Sequence, residues 1–254
     1  MSNLIARRKY KKPAIQEAIF EAKFNYDSFD FAVPGQIFEK IKSEYPNKQD
    51  IKHEFFFLET DKAICPSSAP TIQAPLMRAR KIDNSELLQF GPGIAVANKL
   101  KYSTWEDFIP SIKKIVSAYL DAAKPLTLTR VGMRYINSFL TPELATNISD
   151  YFKIVIDVPD SLANLNGFNL LLTNTIKTSE SAPIFTVKTK FLTDALNPGE
   201  SGNKFILDID CFTIPNIIPD IDNIITLASQ AHDTLGEFFE NLITDKTRAL
   251  MEVE

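Results

Sequence analysis

From Glu17 to Tyr26 apolar and polar residues alternate one by one. Ala18, Phe20, Ala22, Phe24 and Tyr26 take one side, and Glu17, Ile19, Glu21, Lys23 and Asn25 the other, the period of a strand with one buried face. The period then lengthens. Pro34 suits the first turn of a helix, and Ile37, Phe38, Ile41 and Tyr45 share one helical face before Pro46 stops it. Residues 53–60, with consecutive phenylalanines at Phe55, Phe56 and Phe57, predict a strand covered on both sides. Residues 71–80 predict an edge strand because of Pro75, and residues 86–90 and 94–98 a hairpin about a three-residue connection, Gly91-Pro92-Gly93. The strongest helical pattern follows. Ser103 and Glu106 have capping-box spacing, Trp105, Phe108, Ile109, Ile112, Ile115, Val116, Tyr119 and Leu120 recur at helical intervals, Pro110 predicts a kink, and Pro125 closes the segment.

Beyond Pro125 the series starts again. Residues 126–139 predict a long strand, and Thr141-Pro142-Glu143 opens a short helical element reaching about Phe152. Residues 168–177, 183–192 and 204–212 predict three strands, the last two joined by the polar loop 197–203. Residues 221–242 predict a final helix with Ile224, Leu227, Ala228, Ala231, Leu235, Phe238, Phe239 and Leu242 on one face, and the charged tail after Asp245 is expected to fray. The element order β-α-β-β-β-β-α followed by β-α-β-β-β-α predicts an α+β protein of antiparallel sheets with packed helices. It also predicts two duplicated halves, 1–124 and 125–254, packing as one domain or two.

Composition narrows the classes. In 254 residues an apolar fraction of 44% is enough for a sizeable core. The apolar runs fall well short of the roughly 18 residues of a membrane span, and the basic leader (Arg7, Arg8, Lys9, Lys11, Lys12) is not followed by the apolar core of a signal peptide, so a cytoplasmic location is expected. A net charge of −4 disfavours a polyanionic partner, which leaves nucleic acid as a minor expectation. Cys65 and Cys211 form no C-x-x-C pair, and His53 and His232 are the only imidazoles. No phosphate loop, dinucleotide fingerprint or nucleophile elbow occurs, and no cofactor is expected.

Candidate chemistry centres on residues 129–137, whose alternation places Arg130 and Arg134 on one strand face with Gly132, and Val131, Met133 and Tyr135 on the other. Asp208 and Asp210 share a face in the same way. Two aspartates so placed can ligate a hard cation, and opposite Arg130 and Arg134 they suit a metal-phosphate assembly; direct arginine–aspartate pairing is the simpler reading. Glu17, Glu21 and Lys23 resemble part of the E-x-E-x-K strand of triphosphate-tunnel enzymes, but Ile19 breaks the motif. His232-Asp233 resembles the paired residues of metal-dependent phosphohydrolases, with His53 as the only further histidine.

Several blocks together resemble a sporadically distributed family of bacterial proteins of similar length and without an assigned activity. They are residues 13–24, 87–98, 105–108, 129–137 and 207–212, with His232-Asp233 and Phe238-Phe239-Glu240 beyond. The resemblance runs the length of the chain and implies an accessory or defence-associated role, with no catalytic residue to carry over. The expected function is therefore a non-enzymatic binding or regulatory protein recognising an anionic ligand through Arg130 and Arg134, or a protein partner, with a homodimer possible and no membrane. The alternative is a metal-dependent phosphotransfer or nucleotide-hydrolysing enzyme using Asp208 and Asp210 as ligands and the two arginines as clamps. A docking role for the final helix requires part of the apolar stripe Leu227, Ala231, Leu235 and Phe238 to stay exposed.

Overall fold

The computed structural model describes residues 8–51, 73–141, 148–155, 169–177, 180, 182–194, 196 and 201–253. Nine strands are β1 (Ile15–Asn25), β2 (Asn47–Asp50), β3 (Met77–Arg80), β4 (Glu86–Gly91), β5 (Ile94–Lys99), β6 (Thr127–Thr141), β7 (Asn169–Ile176), β8 (Phe185–Asp194) and β9 (Asn203–Thr213). Four α-helices are α1 (Val33–Ile41), α2 (Trp105–Ala123), α3 (Ile221–Leu242) and α4 (Asp245–Met251). The strands follow the order β2-β3-β4-β5-β1-β6-β9-β8-β7 in one antiparallel sheet, where two sheets were expected. The expected strand at 53–60, half of the helical element at 141–152 and most of the loop at 197–203 lie outside the described residues. A single 3-10 turn, Ile148–Asp150, is what is described of the helical element.

The chain divides into two compact units. One comprises Phe20–Val131 with Ile214–Ile225. In it the alternation of β1 sends Phe20, Ala22 and Phe24 into a core with no exposure, and Phe24 stacks on Tyr119 of α2 at 4.9 Å. α1 packs on α2, and α2 lies on β4 and β5. Helix α2 runs unbroken through Pro110, but its cap is one residue beyond the expected one: the Asp107 N–H donates to the Thr104 hydroxyl at 3.2 Å, while Ser103 donates to the Asp107 carboxylate. Extended backbone at Thr104 (φ −137°) puts its oxygen over the helix end, where Ser103 is too far back to reach. α1 stops at Ile41, and Tyr45 reaches the core from the following turn. The β4–β5 hairpin closes at the Gly91↔Ile94 pair, so its connection is two residues, Pro92 and Gly93, with Gly93 at φ 62°.

The other unit comprises Met1–Ile19, Gly132–Thr213 and Thr226–Glu254. Its core is an aromatic cluster: Phe152 lies 4.5 Å from Phe191 and 5.3 Å from Phe139, and Phe191 stacks on Phe205 at 5.6 Å. Of the α3 stripe that a docking helix would use, Ala231 and Leu235 are buried, while Leu227 and Phe238 are half-buried. The tail expected to fray instead folds as α4. Thr244 caps it by accepting from the Thr247 N–H at 3.4 Å, and Thr247, Arg248 and Met251 are buried. Its charge is neutralised in place, since Arg248 binds Glu240 and Asp245.

Candidate functional site

β6 carries both arginines, and the structure gives each an acidic partner. Arg134 donates from Nε and Nη2 to the two carboxylate oxygens of Asp208 at 2.7 and 2.6 Å, a bidentate fork. That bond, with Asp210 and Glu17 adding attraction, raises the Arg134 pKa further and keeps the guanidinium charged. Across the neighbouring ladder Lys190 stands opposite Asp208 and Lys188 opposite Asp210, so both aspartates face cations from β8 as well. Arg130 lies 3.1 Å from Glu21 of β1, which also neighbours Lys23 at 3.6 Å. The geometry is one of cross-strand charge pairing. Among the described residues no group of three or more histidine, cysteine, aspartate or glutamate side chains is placed to hold a metal. His53 lies outside them, and His232, 3% exposed, shares a short hydrogen bond through Nδ1 with the Tyr135 hydroxyl.

A different place in the unit built from the chain ends has the form of a ligand site. A cavity of about 90 Å³ lies between the segment around Ala14, the end of β6 at Tyr135 and Asn137, and α3 at Leu235 and Phe239. β6 sends its odd-numbered residues inward, which puts Tyr135 and Asn137 on the buried side and Arg134 on the open one. A strap of residues 10–12 borders the cavity and is tied to the C-terminal segment: the Lys11 and Lys12 N–H groups donate to the Glu252 and Met251 carbonyls, each at 2.9 Å. The walls are mainly apolar.

Its polar groups converge from three segments. Glu240, 1% exposed, accepts from the Tyr10 hydroxyl at 2.7 Å and from Arg248 Nε at 3.2 Å, and Arg248 Nη1 reaches Asp245 at 2.8 Å. Burial pushes the Tyr10 phenol well above its ordinary range and Glu240 pushes it further, so Tyr10 remains a donor at neutral pH. Burial works against the Arg248 charge, but Asp245 and Glu240 outweigh it and its pKa is raised. Asn137 is 2% exposed, and its amide nitrogen donates to the Leu207 carbonyl at 3.1 Å and more weakly to the Tyr135 carbonyl at 3.4 Å. Two carbonyl partners fix which way the amide points. The same side chain contributes to the cavity lining.

The other unit holds a second buried ionic cluster without a cavity. Glu86, 3% exposed, accepts from Lys99 at 2.8 Å, Tyr45 at 2.6 Å and Ser111 at 2.5 Å, with Lys81 at 3.1 Å. Burial alone raises the carboxyl pKa, but these donors together outweigh it and hold it at about 2. Four donors surround the carboxylate, so the cluster joins α2 to β4 and β5.

Sequence reading missed both clusters. Glu240 appears in a matching block but without a role, and Asn137 only as the end of a strand. The signal that was present is parity: Asn137 falls on the apolar face of β6 with Met133 and Tyr135, where an amide needs a reason to be. Neither protein-family models nor curated proteins give any match to this chain.

Proposed function

We propose that this is a non-enzymatic binding or regulatory protein whose ligand enters the cavity beside Asn137. The observation that carries the reading is the cavity itself, whose mainly apolar wall includes the buried amide residue Asn137. The neighbouring donors are already committed, Tyr10 to Glu240 and Arg248 to Glu240 and Asp245. A ligand suited to the site is thus a small uncharged molecule with an apolar body and one polar group to meet the Asn137 amide. An anion finds less support, because at Arg134 it must displace the chelating Asp208. The phosphotransfer alternative meets the same obstacle, since Asp208 as a metal ligand would have to give up Arg134.

The resemblance to sporadically distributed bacterial proteins supports an accessory role in the cytoplasm. Duplication is supported by connectivity. β1 neighbours β5, the last strand of its own half, and β6 neighbours β9, the last of its half, with a long helix following each. Among the described residues no helix is long and apolar enough to cross a membrane.

Thermal-shift measurements with propanol and phenol, against propionate and benzoate as acceptor-only anions, test the ligand class. At 100 times its dissociation constant a ligand stabilises by about 2.7 kcal/mol. Stabilisation by the two alcohols and not by the anions is expected, with the effect lost in Asn137→Leu. Equal response of wild type and Asn137→Leu would remove the basis of the proposal.

A further inference from the structure

We infer that β7 is a dimerisation edge, on which the β7 of a second copy of this chain docks antiparallel about a two-fold axis through Leu171.

Among the described residues β7 pairs with β8 alone and ends the strand order, so the hydrogen-bonding groups along its outer side are open to another strand. Edges of this kind are normally blunted by shortness, charge or proline. The opposite end of the order is protected in that way: β2 has four residues, among them Lys48 and Asp50. β7 has none of these devices. Its eight residues, Asn-Leu-Leu-Leu-Thr-Asn-Thr-Ile, include no charge and no proline, and Leu171 and Leu172 are 67% and 37% exposed.

The sequence of β7 favours a second copy over an unrelated strand because it complements itself. A two-fold axis normal to the sheet matches only residues of equal parity. With the axis at Leu171, Leu171 meets its own copy on one face, while Leu170 meets Leu172 twice on the other, so each leucine gains a leucine partner. Electrostatics does not oppose this. Leu171 pairs with Lys190 of β8, so the two Lys190 positions in a dimer stand three strand spacings apart, about 14 Å. That exceeds a screening length of roughly 8 Å at physiological salt, and each Lys190 already faces Asp208. A two-fold pairing consumes both copies of β7, and the short charged β2 does not propagate it, so assembly closes at two.

The test is sedimentation of the full chain with its variants. Wild type is expected at twice the 28.6 kDa chain mass. Leu171→Lys, which sets like charges opposite each other at the axis, is expected at the single-chain mass with unchanged circular dichroism and melting temperature, because the side chain is mostly exposed. In a Cys65→Ser background, mild oxidation is expected to give a covalent dimer of Leu171→Cys and none of Thr175→Cys, four residues from the axis. A wild-type chain that stays monomeric at all concentrations, a dimer that survives Leu171→Lys, or equal cross-linking at both positions would each overturn the inference.

Discussion

At Arg134 a half-exposed guanidinium is held by a carboxylate that is itself nearly buried, with side-chain exposures of 46% and 12%. The bidentate geometry lifts the pair above the usual surface ion pair, and a double-mutant cycle of Arg134→Ala and Asp208→Ala in urea unfolding is expected to give a coupling of about 1–2 kcal/mol. A coupling near zero would return Arg134 to the pool of available anion sites. Glu86 shows the same physics with less water. Its carboxyl is depressed to about 2 in the fold from a reference of 4.5. Its contribution is therefore fully present above about pH 4.5 and is lost as pH falls through about 2. Glu86→Gln should flatten this acid limb of the stability curve. Lys99→Met, which strips the strongest donor from a buried carboxylate, is expected to cost about 3 kcal/mol. Both are read by chemical denaturation across pH.

Elements were legible in proportion to how much their own periodicity decides. β1, α2 and α3 have long, regular apolar stripes, and each formed where that stripe predicts. β2 was invisible because all four of its residues are polar and exposed; it exists by backbone pairing with β3, which no side-chain pattern announces. α4 was read as a loose tail because Lys246 and Arg248 look solvated in sequence, whereas Arg248 is buried against Glu240 one helix earlier. Its start rests on Thr244, whose hydroxyl also reaches the Asp150 and Tyr151 carbonyls at 2.6 and 3.1 Å. Thr244→Ala is expected to cost about 1 kcal/mol or somewhat more, measured as a lowered denaturation midpoint. In the β4–β5 hairpin, a Cβ on Gly93 would sit 2.6 Å from the Phe24 carbonyl at a positive φ. Gly93→Ala should therefore destabilise by more than about 1 kcal/mol, and a neutral result would mean the turn relaxes freely.

On the scale of the whole molecule, the cavity could not be read from sequence because no one segment contains it. Tyr10 and Glu240 are 230 positions apart with Asn137 between them, and the three converge only after β6 is laid beside the N-terminal segment and α3 folds across it. The arginine pair, by contrast, was conspicuous because it is local: two cations on alternate positions of one strand. Locality made it visible, and the pairing of Arg134 with Asp208, 74 positions away, then gave it a structural role. The same contrast separates the two halves of the functional account. The proposed binding site is built of side chains assembled from afar, while the β7 edge belongs to one uninterrupted run of eight residues.

The central claim is that a small, mainly apolar ligand binds in the cavity beside the Asn137 amide. It is tested most directly by following the Asn137 side-chain amide by NMR during a phenol titration. Saturable shifts of that amide and of the Leu235 and Phe239 backbone signals, abolished in Asn137→Leu while the variant stays folded, are the predicted result. Phenol that leaves the Asn137 amide unmoved at concentrations where it binds elsewhere on the protein would contradict it.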